Sequence, residues 1–190
     1  MKQALLPGLC DGRLQAAFAL TEPGAGSDVR GLSTTASLDG DTYRVSGRKK
    51  FITRANTADW LVVVARQGEA GSNRGDALVA LLVPAKAEGV RISEPVCKLS
   101  WFGVPICDIE LESVQVPVAW RLGAVGDGMA LAQDALVRAR IGHASMALGR
   151  AIGAIEIAAA YCNDRTLFGE RLGAKQGVQW MLAEMATQIE

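Results

Sequence analysis

The chain has 190 residues, 49% of them hydrophobic and 21% charged, an ordinary balance for a globular protein with room for one domain or two small ones. Its 20 lysines and arginines cancel its 20 acidic residues, so no global field steers nucleic acid or an anionic membrane towards it. Cys10, Cys97, Cys107 and Cys162 show no C-x-x-C spacing, which argues against a structural zinc site or a disulfide framework and fits a reducing, cytoplasmic compartment. The first residues lack the apolar segment of a signal peptide, and the longest uninterrupted apolar runs, 61–65 and 77–84, are too short to span a bilayer.

Residues 14–20 are apolar and end at a Pro/Gly cluster, as a strand does. Thr34, Ala36 and Leu38 alternate up to Asp39-Gly40-Asp41, and Tyr43 and Val45 resume beyond it; Asp-Gly between two alternating runs predicts a β-hairpin. Residues 59–66 and 77–83 are rich in Val and Leu and predict two strands, joined by a polar stretch, 67–76, that reads as a mobile, dispensable loop. Ile106, Ile109, Leu111 and Val114 predict a last strand that stops at Pro117. Several short strands with regular turns predict a barrel or orthogonal sandwich, so residues 1–118 read as an all-β domain.

The periodicity changes near residue 120. From Asp127, a predicted N-cap between two glycines, Val137, Ile141, Leu148, Ile152, Ile155, Ala159 and Cys162 recur at helical spacing for about ten turns. Leu167-Phe168-Gly169 breaks the pattern, and Val178, Leu182, Met185 and Ile189 predict a second helix. Two helices cannot bury both of their apolar stripes, so residues 119–190 read as an incomplete up-down helical bundle. The predicted class is α+β and multidomain.

Candidate sites follow from residue chemistry. In Thr21-Glu22-Pro23-Gly24-Ala25-Gly26-Ser27-Asp28, Pro23 fixes φ, while Gly24 and Gly26 permit positive φ and close approach of a ligand to the backbone. The loop can turn N–H groups and the Thr21 and Ser27 hydroxyls towards a polyanionic or carbonyl-rich ligand; taken alone, so short a glycine motif is more often a plain turn. Lys49-Lys50-Phe51-Ile52-Thr53 offers a planar ring an aromatic, an aliphatic and a hydroxyl, although in isolation it reads rather as an edge strand with gatekeeper lysines. Arg165 has the planar fork that suits a phosphate, or serves a helix C-terminus as a favourable cation. Arg138 and Arg140 lie on different faces of the long helix and read as solvated. His143, the sole histidine, has no Ser, Cys or carboxylate pattern around it and reads as structural. Asp108, Glu110 and Glu112 alternate along one strand and share its wet face. No metal site is predicted.

Order and spacing add what single motifs lack. The stretch Phe18-Ala19-Leu20 leads into Thr21 to Asp28, and Gly47-Arg48-Lys49-Lys50-Phe51-Ile52-Thr53 follows, like G-x-K-x-W-I-T with Phe51 in place of Trp. Then come Lys98-Leu99 with Trp101 and Gly103, Val116-Pro117, Gly126-Asp127-Gly128, and Arg165-x-x-Phe168-Gly169 with Gln176 beyond. Together these resemble the acyl-CoA dehydrogenase family over essentially the whole chain. The resemblance implies a middle β-barrel domain and the first part of a C-terminal helical domain, with FAD bound between them and across the interface of a homodimer or tetramer. It implies that main chain at Phe18 and Leu20 and the Thr21 hydroxyl bond the polar edge of the flavin, and that Phe51, Ile52 and Thr53 lie against the isoalloxazine, Thr53 near N5. Ser27 would serve the cofactor and the CoA arm of the substrate, Arg140 the CoA portion, and Arg165, Phe168 and Gln176 the FAD of a neighbouring subunit. The implied activity is FAD-dependent α,β-dehydrogenation of an acyl-CoA thioester: a glutamate takes the α-proton, a hydride leaves the β-carbon for flavin N5, and an electron-transfer flavoprotein is the acceptor.

The sequence departs from the family pattern at the base. Most members carry it later in the C-terminal domain, and a minority on the long helix at the position of Ala139, which cannot take a proton. The N-terminal helical domain and the distal C-terminal helices are likewise not expected here, so the chain reads as a fragment with negligible activity alone. A non-catalytic flavin- or CoA-binding remnant and an acyl-CoA oxidase stand as alternatives.

Overall fold

The structure, a computed structural model, describes residues 1–68 and 78–190. Nearly all of the predicted polar loop therefore lies outside the described residues. Two compact units form, Met1–Asp134 and Ala135–Glu190.

The first unit opens with α1 (Lys2–Cys10), a helix that holds Pro7 inside it. No sequence signal announced it, because its apolar residues form no clear one-sided stripe. Among the described residues eight strands follow: β1 (Ala16–Ala19), β2 (Thr35–Asp39), β3 (Thr42–Thr53), β4 (Trp60–Gln67), β5 (Leu78–Pro84), β6 (Val90–Ile92), β7 (Ile106–Pro117) and β8 (Arg121–Leu122). They make one mixed sheet in the order β6-β7-β3-β2-β4-β5-β8, with β1 parallel to β4 beside that path. Among the described residues the sheet is open, with β6 and β8 at its ends, so the expected barrel does not close. Strand count leaves closure undecided, since tilt and stagger must also bring the two edges together. The hairpin predicted at Asp39-Gly40-Asp41 forms between β2 and β3, with Gly40 at φ 61°.

Alternation places Tyr43 and Val45 of β3, Leu61 and Val63 of β4, Val79, Leu81 and Val83 of β5, and Ile109, Val114 and Val116 of β7 in one apolar core. Each such aliphatic side chain contributes about 1.5–3 kcal/mol on burial. The long antiparallel pair β3–β7 carries two β-bulges. One sets Glu112 and Ser113, the latter at φ 50°, against Ser46, between the register pairs Val45↔Val114 and Gly47↔Leu111. The other sets Lys50 and Phe51 against Asp108, between Lys49↔Ile109 and Ile52↔Cys107. Each bulge inserts one residue and so flips which positions face the core.

Helix α2 (Gly128–Asp164) starts in the first unit and runs through the second. Asp127 stands just before it, as predicted: its carbonyl accepts the Leu131 N–H, while its carboxylate turns back to the Ala124 N–H at 2.7 Å. The second unit continues with β9 (Thr166–Leu167), β10 (Glu170–Arg171) and α3 (Gln176–Ile189). The break predicted at Leu167-Phe168-Gly169 is a hairpin whose two central residues, Phe168 at φ 54° and Gly169 at φ 82°, both have the left-handed backbone of a type I′ turn. The first part of the apolar stripe of α2 is exposed, Val137 by 52% and Ile141 by 66%, whereas Ile155 and Ala159 are half-buried and Cys162 is buried. By length and mean hydropathy α2 is long and apolar enough to cross a membrane, a property the uninterrupted runs did not reveal because charges such as Arg150 and Glu156 punctuate it. Bundle helices share that property.

Candidate functional site

In the first unit, the chain leaves β1 at Ala19 and turns at once. Glu22 and Ala25 exchange main-chain hydrogen bonds of 2.9 and 3.2 Å, so Pro23 and Gly24 form a tight turn. Neither Gly24 nor Gly26 adopts the positive φ expected of them. Instead, nothing lies within 4 Å of the place where a Cβ would stand on either residue. The chain's own packing does not require these glycines, which leaves open space over that stretch of backbone.

The Glu22 side chain points inward and is 4% exposed. Its Oε2 accepts the N–H and the hydroxyl of Ser33, each at 2.6 Å, and its Oε1 accepts the Thr34 N–H at 3.0 Å. The Lys49 ammonium completes the group, donating to Glu22 Oε1 at 2.8 Å, to the Leu20 carbonyl at 3.0 Å and to the Val64 carbonyl at 2.7 Å. Lys49 is thus no gatekeeper. It is 1% exposed on β3, which has β2 on one side and β7 on the other rather than a free edge. Burial pushes the Glu22 carboxyl up, but the Lys49 charge and the hydrogen bonds from Lys49, Ser33 and Thr34 together outweigh it and hold the group at about 2. For Lys49 burial dominates, and the ammonium falls to about 8 against the pull of Glu22.

This group brings the two candidate segments together. The Thr21 carbonyl accepts the Lys50 N–H at 2.8 Å, so the glycine loop lies directly against the start of Lys50 to Thr53. Phe51 then occupies the left-handed region at φ 60°, 56% exposed, with its N–H donated to Asp108 Oδ1 at 3.1 Å. A bulky residue at positive φ is an outlier of the kind that collects at functional sites. Thr53 is exposed as well, whereas the Ile52 side chain lies in the core and leaves a ligand only its main chain. Phe18 is half-buried, Leu20 buried, and Ser27 exposed.

The second unit holds the other predicted residues. Phe168 tops the β9–β10 hairpin, 91% exposed, with the Lys175 ammonium 6.0 Å from its ring centre. Arg165 enters the hairpin, anchored by main-chain bonds to Tyr161 and Leu172, and Gln176 opens α3. Arg140 and Ala139 sit on the exposed part of α2, roughly 35 Å along the helix axis from Arg165 at 1.5 Å per residue. The His143 ring bonds the Ala139 carbonyl of its own helix at 2.7 Å.

Sequence reasoning passed over Glu22, Lys49 and Asp108 as parts of this arrangement. A signal existed for Lys49: the inward parity of Tyr43 and Val45 extends along β3 to residue 49.

Comparison with known proteins shows the family. The description "Acyl-CoA dehydrogenase, middle domain" matches residues 17–114, and "Acyl-CoA dehydrogenase, C-terminal domain" matches residues 126–190. The chain belongs to the acyl-CoA dehydrogenase family. Among its relatives is the caffeyl-CoA reductase-Etf complex subunit CarC of Acetobacterium woodii, 41% identical over 97% of this chain and 48% of the relative. The butyryl-CoA dehydrogenase of Megasphaera elsdenii superposes with a TM-score of 0.94 at 33% identity, over 99% of this chain and 49% of that one. A glutaryl-CoA dehydrogenase of Mycobacterium smegmatis, solved in complex with FADH2, gives 0.91 at 32% identity, over 99% and 47%. The chain spans about half the length of these family members.

Proposed function

We propose that the chain takes part in FAD-dependent α,β-dehydrogenation of an acyl-CoA thioester. The Thr21–Lys50 hydrogen bond carries this reading, because it joins the loop of open glycines to the segment that presents Phe51 and Thr53. Those features fit a flavin: a planar ring needs an exposed aromatic face and a few fixed donors, and a cofactor needs backbone uncluttered by Cβ atoms. In this reading Phe18 and Leu20 main chain, the Thr21 hydroxyl, Ser27, Phe51, Ile52 and Thr53 hold FAD from the first unit, and Arg165, Phe168 and Gln176 serve it from a partner subunit. Ser27 and Arg140 hold the CoA portion. Bound FAD supplies the hydride acceptor.

The residues of this chain bind and orient; the proton-taking carboxylate is assigned to none of them. Glu22 is committed to Lys49, Ser33 and Thr34, and Asp108 to the Phe51 N–H. Ala139 offers no carboxylate. The same proposal divides the functional domains at residues 118–119, places the protein in a homodimer or tetramer, and gives it an electron-transfer flavoprotein as redox partner, for which the name of the Acetobacterium relative is the support. That name also favours a second reading, reduction of an α,β-unsaturated acyl-CoA at the same site. A cytoplasmic location is supported by four free thiols, Cys10, Cys97, Cys107 and Cys162.

The test is FAD titration of the 190-residue chain, followed by anaerobic addition of acyl-CoA thioesters. Flavin binding without bleaching is expected. Failure to bind flavin would overturn the site, and bleaching would overturn the assignment of the base outside these residues.

A further inference from the structure

We propose that Lys49 is a positioning residue for the cofactor site: by tying the Leu20 and Val64 carbonyls and Glu22 to one ammonium, it sets the main chain of Leu20 and Thr21 against Lys50 to Thr53. The inference rests on the reading of those segments as the flavin site.

The sheet itself explains why such a tie is needed. β1 and β4 pair in parallel from Ala16↔Trp60 to Ala19↔Val63, and the register ends there. One residue further on, at Leu20 and Val64, both carbonyls receive their hydrogen bonds from Lys49, at 3.0 and 2.7 Å. A buried carbonyl without a donor is costly, so the lysine serves as a side-chain rung where the ladder stops. The two strands can then part, and Thr21 can reach over to the Lys50 N–H. Glu22 has a different task. It supplies the counter-charge and anchors the far side of the loop at Ser33 and Thr34. Lys49 also immediately precedes the bulge at Lys50 and Phe51, so one residue grips both segments at the point where they meet. Nothing in its position calls for direct contact with a ligand, since it is 1% exposed.

Two variants separate positioning from charge balance, made in the protein as its gene encodes it. Glu22→Gln removes the buried counter-charge yet leaves an amine able to donate to Leu20 and Val64. Lys49→Met combined with Glu22→Gln removes both charges and the tie. Circular dichroism establishes folding, and FAD affinity, the flavin absorption bands and the flavin reduction potential are then measured. Glu22→Gln should bind FAD within about threefold of the unaltered protein, and the double variant should bind about tenfold or more weakly, with shifted bands and potential. If Lys49→Met combined with Glu22→Gln does not fold, Lys49→Leu combined with Glu22→Gln, which likewise has no donor for the two carbonyls, is read in the same way. A folded double variant with the affinity, bands and potential of Glu22→Gln would overturn the proposal while leaving the flavin site standing. Absence of FAD binding by the unaltered protein would overturn the site, and the proposal with it.

Discussion

The main-chain N–H of Phe51 donates to Oδ1 of Asp108 at 3.1 Å, across the bulge where two residues of β3 face one of β7. An aromatic residue at φ 60° costs about 1–3 kcal/mol to hold, and this bond is one visible restraint on it. Asp108 thus sits on the half-exposed face of its strand with a defined task, rather than as a generic solvated carboxylate.

Replacing Asp108 with Ala should therefore lower stability by about 1 kcal/mol and weaken FAD binding severalfold. Chemical denaturation and flavin titration read the two effects. A variant unchanged in both would remove Asp108 from the site.

Glu22→Ala leaves the Lys49 ammonium buried with no counter-charge. Breaking a buried pair in this way costs about 3–5 kcal/mol. The urea midpoint should fall accordingly, and a loss below about 1 kcal/mol would mean that Lys49 gains water or sheds its proton with little penalty.

Acid should act on the same pair. The Glu22 carboxyl is held at about 2, below the ordinary value of 4.5, so the folded state binds this proton less readily than the unfolded state does. The stability it contributes is present above pH 4.5 and is lost as pH falls towards 2. Measured from pH 6 down to about 2, the stability of the unaltered protein should drop more steeply than that of Glu22→Gln. Parallel curves would contradict the ionised state of Glu22.

Two kinds of glycine should respond in opposite ways. At Gly89, with φ +84°, a Cβ would stand 2.3 Å from the Glu112 carbonyl oxygen, so Gly89→Ala should cost at least about 1 kcal/mol. At Gly24 and Gly26 there is open space and no positive φ, so alanine should leave stability within about 0.5 kcal/mol while weakening FAD or acyl-CoA binding. Unimpaired binding by both alanine variants would show that the open glycines do not face a ligand.

Much of the sheet was legible because its signals are local. The Asp39-Gly40 turn, the runs that became β4 and β5, and the stop at Pro117 each depend on neighbours a few residues apart. The hairpin at Phe168 was seen only as a break, since two-residue strands carry no alternation. Lys49 was misread because its partners, Leu20, Glu22 and Val64, are 29, 27 and 15 residues away, and a lysine beside a second lysine suggests solvent. The open sheet was beyond local signals altogether, for edge-to-edge closure is a property of the whole assembly of strands. At the site, the glycine loop and Phe51 to Thr53 were found by motif order; that they touch through Thr21 and Lys50 came from the fold.

The paired bulges also govern how these strands tolerate change. In β3 the inward positions are odd up to Lys49 and even from Ile52; in β7 they are odd up to Leu111 and even from Val114. Each strand therefore has two frames of permitted substitution, and a hydrophobic-to-polar exchange harmless at one parity on one side of a bulge is disruptive at that parity on the other. A single-residue deletion at residues 50–51 would merge the frames: Lys49 and Ile52 would both stay inward by plain alternation, but the bulge that holds Phe51 at its left-handed φ beside Asp108 would be lost. Variation in length is thus far less admissible here than variation in composition, and related chains are best aligned with no gap across either bulge.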